Sequence, residues 1–96
     1  MKTEFQENVV IITGASYGIG QELAIQLAKK GAWLVLGARS VERLERVSQK
    51  CIQMGGRAIA VPTDVGVESQ WKNLIDEAVS KYGRVDTLIN NAGFGV

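Results

Sequence analysis

The 96-residue chain has no histidine, and its single cysteine, Cys51, has no partner for an internal disulfide. Without histidine there is no serine–histidine or cysteine–histidine nucleophile, and one cysteine is a poor start for a zinc site built from several nitrogen and sulfur ligands. An excess of one charge is also missing. Eleven Lys and Arg nearly cancel ten Asp and Glu, and both signs are scattered, which argues against nucleic acid and against a charged membrane surface as partners. No apolar run approaches the roughly 20 residues that span a bilayer, and the opening segment Met1 to Asn8 lacks the apolar core of a signal peptide. A soluble, reducing, cytoplasmic setting is the expectation. No repeat, low-complexity tract or linker divides the sequence, so residues 1–96 are read as one domain. A domain of this size buries little more than ~60% of its unfolded surface, so its stability is expected to be marginal.

What is present is an alternation. Short apolar runs at Asn8 to Thr13, Trp33 to Gly37, Ala58 to Val61 and Val85 to Ile89 are separated by three segments of helical period. That pattern predicts an α/β fold, a doubly wound parallel sheet of four strands with three helices. The first run is nearly all apolar, as befits a strand covered on both faces. A first helix is predicted from about Gly18 to Lys30, facing inward through Ile19, Leu23, Ala24, Leu27 and Ala28 and stopped by Gly31. Ser40 is a candidate N-cap for a second helix reaching about Met54, with Val41, Leu44, Val47 or Ser48, and Cys51 inward. Cys51 reads as a small buried helix residue. Pro62 is placed at the exit of the third strand, because it cannot donate to a ladder. Trp71, Leu74, Ile75, Ala78, Val79 and Tyr82 mark the third helix, with Gly83 as its stop. Right-handed crossovers and a reversal after the third strand predict the order 3-2-1-4, with a ligand crevice between strands one and four.

The run Thr13-Gly14-Ala15-Ser16-Tyr17-Gly18-Ile19-Gly20 joins the first strand to the first helix. A helix N-terminus offers unpaired N–H groups and partial positive charge, so a diphosphate can rest there if no side chain intervenes. Gly14 can make the tight turn, Gly18 can allow close backbone approach, and Gly20 can allow close packing of helix on sheet. A turn that needs glycine only for its geometry is the competing reading. At the end of the second strand stands Gly37-Ala38-Arg39-Ser40, with no carboxylate before Glu42. Sites that prefer NAD place an acid near this point, whereas an arginine accommodates the extra phosphate of NADP. Arg39 offers a planar fork suited to that phosphate, and Ser16 and Ser40 can donate to it. The expected cofactor is therefore NADP rather than NAD. A solvated loop charge at Arg39 and a simple cap at Ser40 are the plainer alternatives.

These residues resemble the short-chain dehydrogenase/reductase family. Its Thr-Gly-x-x-x-Gly-x-Gly pattern is filled by Thr13 to Gly20, and its Asn-Asn-Ala-Gly pattern by Asn90, Asn91, Ala92 and Gly93. The two stand in the right order with three crossovers between them, and the likeness covers essentially the whole chain. The resemblance implies a Rossmann-type fold and a dinucleotide held by Gly14, Ser16, Tyr17, Gly18, Ile19 and Gly20. It implies adenine contacts from Asp64 and Val65, with the Asp64 carboxylate accepting from the amino group. Asn91, Ala92 and Gly93 would line the cofactor beside the fourth strand, while Asn90 would mainly brace the sheet. Many members carry a small or basic residue where this chain has Tyr17. Asp64 as a turn cap, and Asn90-Asn91 as an ordered strand exit, remain alternatives.

The family's chemistry uses a serine, and a tyrosine with a lysine four residues on, in the part of the fold that follows Asn-Asn-Ala-Gly. Here Tyr17 is followed four places later by Gln21, and Tyr82 by Asp86. No catalytic residue is therefore assigned. Three readings follow: the truncated, NADP-binding half of an oxidoreductase, not catalytic alone; an enzyme completed in trans by a second chain; and a non-catalytic nucleotide-binding or interaction module. Self-association, or a complementing chain, through the exposed edge of the fourth strand is expected under all three.

Overall fold

The computed structural model describes residues 5–16 and 18–91. β1 (Val9–Thr13) is buried along its whole length. α1 (Gly18–Lys29), β2 (Trp33–Ala38), α2 (Val41–Gln53), β3 (Arg57–Pro62), α3 (Glu68–Tyr82) and β4 (Thr87–Asn90) follow. The four strands are parallel in the order β3-β2-β1-β4, as the alternation predicts. Continuous Val/Ile/Leu runs occupy the two central strands because only there are both faces covered.

Each face has its own core. Val10, Ile12, Leu34 and Leu36 point to one side and pack with Ala24, Leu27 and Ala28 of α1 and Leu44, Val47 and Cys51 of α2. Val9, Ile11, Val35 and Val61 point to the other and meet Leu74 and Ala78 of α3. β-strand alternation sorts neighbouring residues between the two.

Several helix faces differ from the expectation. Ile19 is 78% exposed, since the first turn of α1 projects beyond the sheet and the buried stripe is Gly20, Ala24, Leu27 and Ala28. Val41 is likewise exposed at the start of α2, whose inward residues are Leu44, Val47, Ser48 and Cys51. On α3 only Leu74 and Ala78 are buried; Ile75 and Val79 face out, and Trp71 and Tyr82 are half-buried. β4 begins at Thr87, two residues later than its apolar run, because Asp86 is taken up in fixing the strand. Its Oδ2 accepts from the Val9 N–H at 2.8 Å and from Arg84 Nε at 2.9 Å, and its own N–H donates to the Val9 carbonyl at 2.9 Å. Pro62 ends β3 on the sheet's edge, where its missing N–H costs nothing; the next N–H, of Thr63, donates to the Ala38 carbonyl at 2.8 Å. No helix among the described residues is long and apolar enough to cross a membrane.

Candidate functional site

In a parallel sheet every strand ends on the same edge, so the loops after β1, β2, β3 and β4 gather there. Of the residues singled out in the sequence, Gly14, Ser16, Gly18, Ile19, Gly20, Arg39, Ser40, Asp64, Val65 and Asn91 all lie at this edge. Tyr17, Ala92 and Gly93 lie outside the described residues.

The glycine turn is fixed from three directions. Gly14 and Gly18 have φ of 65° and 63°, the left-handed region that a side chain enters only with strain. The Gly14 N–H donates to the Gly37 carbonyl at 2.8 Å, tying the turn to the end of β2. Asn91 Nδ2 donates to the Gly14 carbonyl at 3.2 Å, tying it to the end of β4. Below, α1 comes so close that a Cβ on Gly20 would run into the Gly14 carbonyl oxygen and stand 2.7 Å from Asn91 Nδ2. Among the described residues, a Cβ on Gly18 would meet nothing within 4 Å apart from its own chain neighbours. Gly20 is thus a packing requirement, while Gly18 opens onto free space above the N-terminus of α1, whose first turn carries no acid. That combination leaves room for an anion beside unpaired N–H groups and the positive end of the helix dipole.

The other residues divide between structural and unengaged roles. Asn90 Oδ1 accepts from Thr13 Oγ1 at 2.9 Å, bracing β4 against β1. Asp64 closes a turn: its Oδ1 accepts from the Gly66 N–H at 2.9 Å, and its N–H donates to Gln70 Oε1 at 2.6 Å. Ser40 occupies the N-cap position of α2 but makes no side-chain cap bond, so its hydroxyl serves the helix less than the sequence suggests. Arg39 is exposed beside it.

Three residues of α2 carry no signal in the sequence motifs. Arg43, Arg46 and Lys50 on α2, together with Ser16, Gln21 and Val47, line a groove of about 260 Å³ running from the glycine turn along α2. Their i, i+3, i+7 spacing was the available clue.

The remaining groups of chemical interest lie elsewhere. Cys51 is buried between α2 and the sheet, and burial pushes its thiol up to about 11. Tyr82 packs on Trp33 with ring centroids 5.5 Å apart, and the Arg57 guanidinium sits 4.5 Å from the Trp33 centroid. Burial raises the Tyr82 hydroxyl's pKa, opposed by the Arg57 charge. Trp33 and Arg57 open their strands, so this cluster is at the opposite edge from the glycine turn.

Comparison with known proteins agrees with this geometry. The family model for short chain dehydrogenase matches residues 8–96. An uncharacterized oxidoreductase of Listeria innocua is 49% identical over 88 residues, covering 92% of this chain and 36% of the relative. The structure of L-sorbose reductase from Gluconobacter frateurii, complexed with NADPH and L-sorbose, superposes with a TM-score of 0.91 at 36% identity, covering 100% of this chain and 37% of that one. NAD+-bound xylitol dehydrogenase gives 0.90 at 32% identity, covering 96% and 35%. The chain thus spans little more than a third of the length of these relatives.

Proposed function

Given that the chain belongs to the short-chain dehydrogenase family, we propose that it is the dinucleotide-binding half of an oxidoreductase and that it prefers NADP(H) to NAD(H). The observation that carries the proposal is the glycine turn. Two left-handed glycines enter a helix pressed against the strand at Gly20, with open space over Gly18. The cofactor's diphosphate would lie across Gly14 to Gly20, over the N–H groups that begin α1. The adenine would meet Asp64 and Val65, with the Asp64 carboxylate facing its amino group, and the adenosine ribose would lie along Asn91 to Gly93. Tyr17 and Ile19 would flank the diphosphate.

The preference for NADP rests on Arg39. It stands exposed at the exit of β2 with Ser40 beside it, and the first carboxylate in sequence is Glu42, inside α2. A 2′-phosphate there would meet a cationic fork and two hydroxyls, Ser16 and Ser40, with no acid to repel it. Relatives of both kinds exist among the structures, one holding NADPH and another NAD+, so the choice turns on this chain's own residues. When bound, the dinucleotide supplies or accepts a hydride. This sequence has no tyrosine with a lysine four residues on, so the 96-residue polypeptide is expected to bind without turnover.

Titration of the chain with NADPH and NADH in parallel, by calorimetry, tests the proposal. Tighter NADPH binding is expected, and Arg39→Glu should erase the difference. Equal affinity for both in the unaltered chain would remove the role given to Arg39, and no binding of either would remove the proposal.

A second reading has its own observation. Leu88 stands beside Ile11 in register on the α3 face of edge strand β4, yet it is 47% exposed, and Ile75, Val79 and Val85 are exposed with it. Apolar groups along an open strand edge favour a partner there, a second copy or a complementing chain. Sedimentation velocity across a range of concentrations separates this reading from a monomer.

A further inference from the structure

The loop between β3 and α3 carries Asp64 and Val65, and it is held at both ends. Thr63, buried at the exit of β3, donates its N–H to the Ala38 carbonyl at 2.8 Å, which ties the start of the loop to the residue before Arg39. Beyond it, each of the two residues given to the adenine is bonded by a side chain of α3. The Asp64 N–H donates to Gln70 Oε1 at 2.6 Å, and the Val65 carbonyl accepts from Trp71 Nε1 at 2.8 Å. Neither bond serves the start of the helix itself. Gln70 is the third residue of α3, the position from which a capping box returns to the N-cap N–H, yet its side chain reaches past the N-cap, Val67, to Asp64. Trp71 lies half-buried against the core on the α3 side, so its indole N–H is aimed from a fixed base. Leu74, the next inward residue of the helix, is fully buried, its Cδ2 3.1 Å from where a Cβ on Gly37 would stand at the end of β2. The Asp64 carboxylate is oriented as well: Oδ1 accepts from the Gly66 N–H at 2.9 Å, and no hydrogen bond among the described residues engages Oδ2, the oxygen left to face an amino group. A recognition loop held in its binding geometry beforehand binds more tightly, because less ordering falls on the binding step.

We propose that Gln70 and Trp71 are positioning residues for the adenine end of the dinucleotide, acting through Asp64 and Val65 rather than on the cofactor, so that the first turn of α3 helps set cofactor affinity. This rests on the adenine placement given above, and the test separates the two. Trp71→Phe keeps most of the ring and removes the N–H; Gln70→Met keeps the length and removes the acceptor. Each should weaken NADPH binding, measured by calorimetry, roughly two- to tenfold, the worth of one hydrogen bond. Backbone amide shifts induced by NADPH should persist at Gly14 to Gly20 in both variants and shrink at Asp64 and Val65. A general loosening of α3 would not give that split. Tyr82→Ala, at the far end of the helix, is the comparison: it should lower the urea midpoint yet leave NADPH affinity and the shifts at Asp64 and Val65 as they are in the unaltered chain. If the unaltered chain shows shifts at Asp64 and Val65, and Trp71→Phe and Gln70→Met leave both shifts and affinity unchanged, the positioning role falls and the adenine placement stands. If Tyr82→Ala weakens binding as much as they do, the bonds only stabilise the helix and the proposal is overturned. Shifts at Gly14 to Gly20 without any at Asp64 and Val65 in the unaltered chain, or no binding of NADPH, overturn the adenine placement and the positioning role together.

Discussion

The two faces of the sheet are unequally covered. On the side of α1 and α2, two helices close over Val10, Ile12, Leu34 and Leu36, which are fully removed from solvent, and bury Ala24, Leu27, Ala28, Leu44, Val47 and Cys51 against them. On the side of α3, one helix buries only Leu74 and Ala78, with Trp71 and Tyr82 half-buried beside them, and Ile75, Val79 and Leu88 remain exposed. The same hydrophobic composition thus gives a closed layer on one side and an open one on the other. The difference teaches where this chain is self-sufficient. The glycine turn is built on the closed side, from β1 and α1, and draws its outer support from β2 and from Asn91 beyond β4. The supports of the phosphate end of the site thus come from within this chain, whereas the α3 side is the part that invites a partner.

The largest effect should come from Gly20→Val. The added atoms would collide with the Gly14 carbonyl and crowd Asn91 Nδ2, and backbone cannot yield as a side-chain tip can. Overpacking costs about 1–3 kcal/mol where neighbours can shift and more where they cannot, so this substitution against backbone should exceed the cavity-forming ones that follow. In a marginally stable chain this should appear as a large loss in the urea midpoint, together with loss of dinucleotide binding. Next come Leu36→Ala and Leu74→Ala, each a fully buried leucine on a different face. Both should fall within about 2–5 kcal/mol, with Leu36 at the upper end because its closed surroundings cannot collapse into the cavity. Equal costs in urea denaturation would break the comparison between the faces.

Smaller effects come from titration. The Asp86 carboxyl lies below the usual range, first because the Val9 N–H donates to it, with Arg84 assisting against desolvation. A depressed folded pKa means stability that is present above the unfolded value of about 3.9 and lost as pH falls through the folded one. Acid should thus release β4 from β1, and Asp86→Asn should flatten that limb of the pH–stability curve. Cys51 gives the opposite limb. Its thiol is raised from 9.0 to about 11 by burial, so stability should fall as pH climbs between those values. The thiol should also resist alkylation at pH 8 until the chain is unfolded. The smallest change in stability, within about ±0.5 kcal/mol, is expected for Val79→Lys on the open face. Its effect should be read in sedimentation, as reduced self-association.

Much of this was legible in the sequence, for physical reasons that also mark the limits. β1 and β2 are unbroken apolar runs because they are covered on both sides, and their alternation with helical periods carried the strand order. The glycine turn was legible because left-handed backbone and close approach both demand glycine, at Gly18 and Gly20. Helix faces were less so. Periodicity identifies a stripe but not whether a sheet lies beneath it, so Ile19 and Val41, on first turns, and Ile75 and Val79, over the open face, are exposed. The ties from Asp86 to Val9 and from Asn91 to Gly14 join residues 77 apart, and no local pattern announces them. Arg43, Arg46 and Lys50 belong to no sequence motif, and only the fold sets Ser16 opposite them.

The central claim is that the glycine turn holds the diphosphate of a dinucleotide. It is tested most directly by backbone amide shifts of the chain on adding NADPH. The account predicts shifts at Gly14 to Gly20, at Asp64 and Val65 and at Asn91, all of them lost in Gly18→Val. Shifts confined to the α3 side, or binding that survives Gly18→Val, would contradict it.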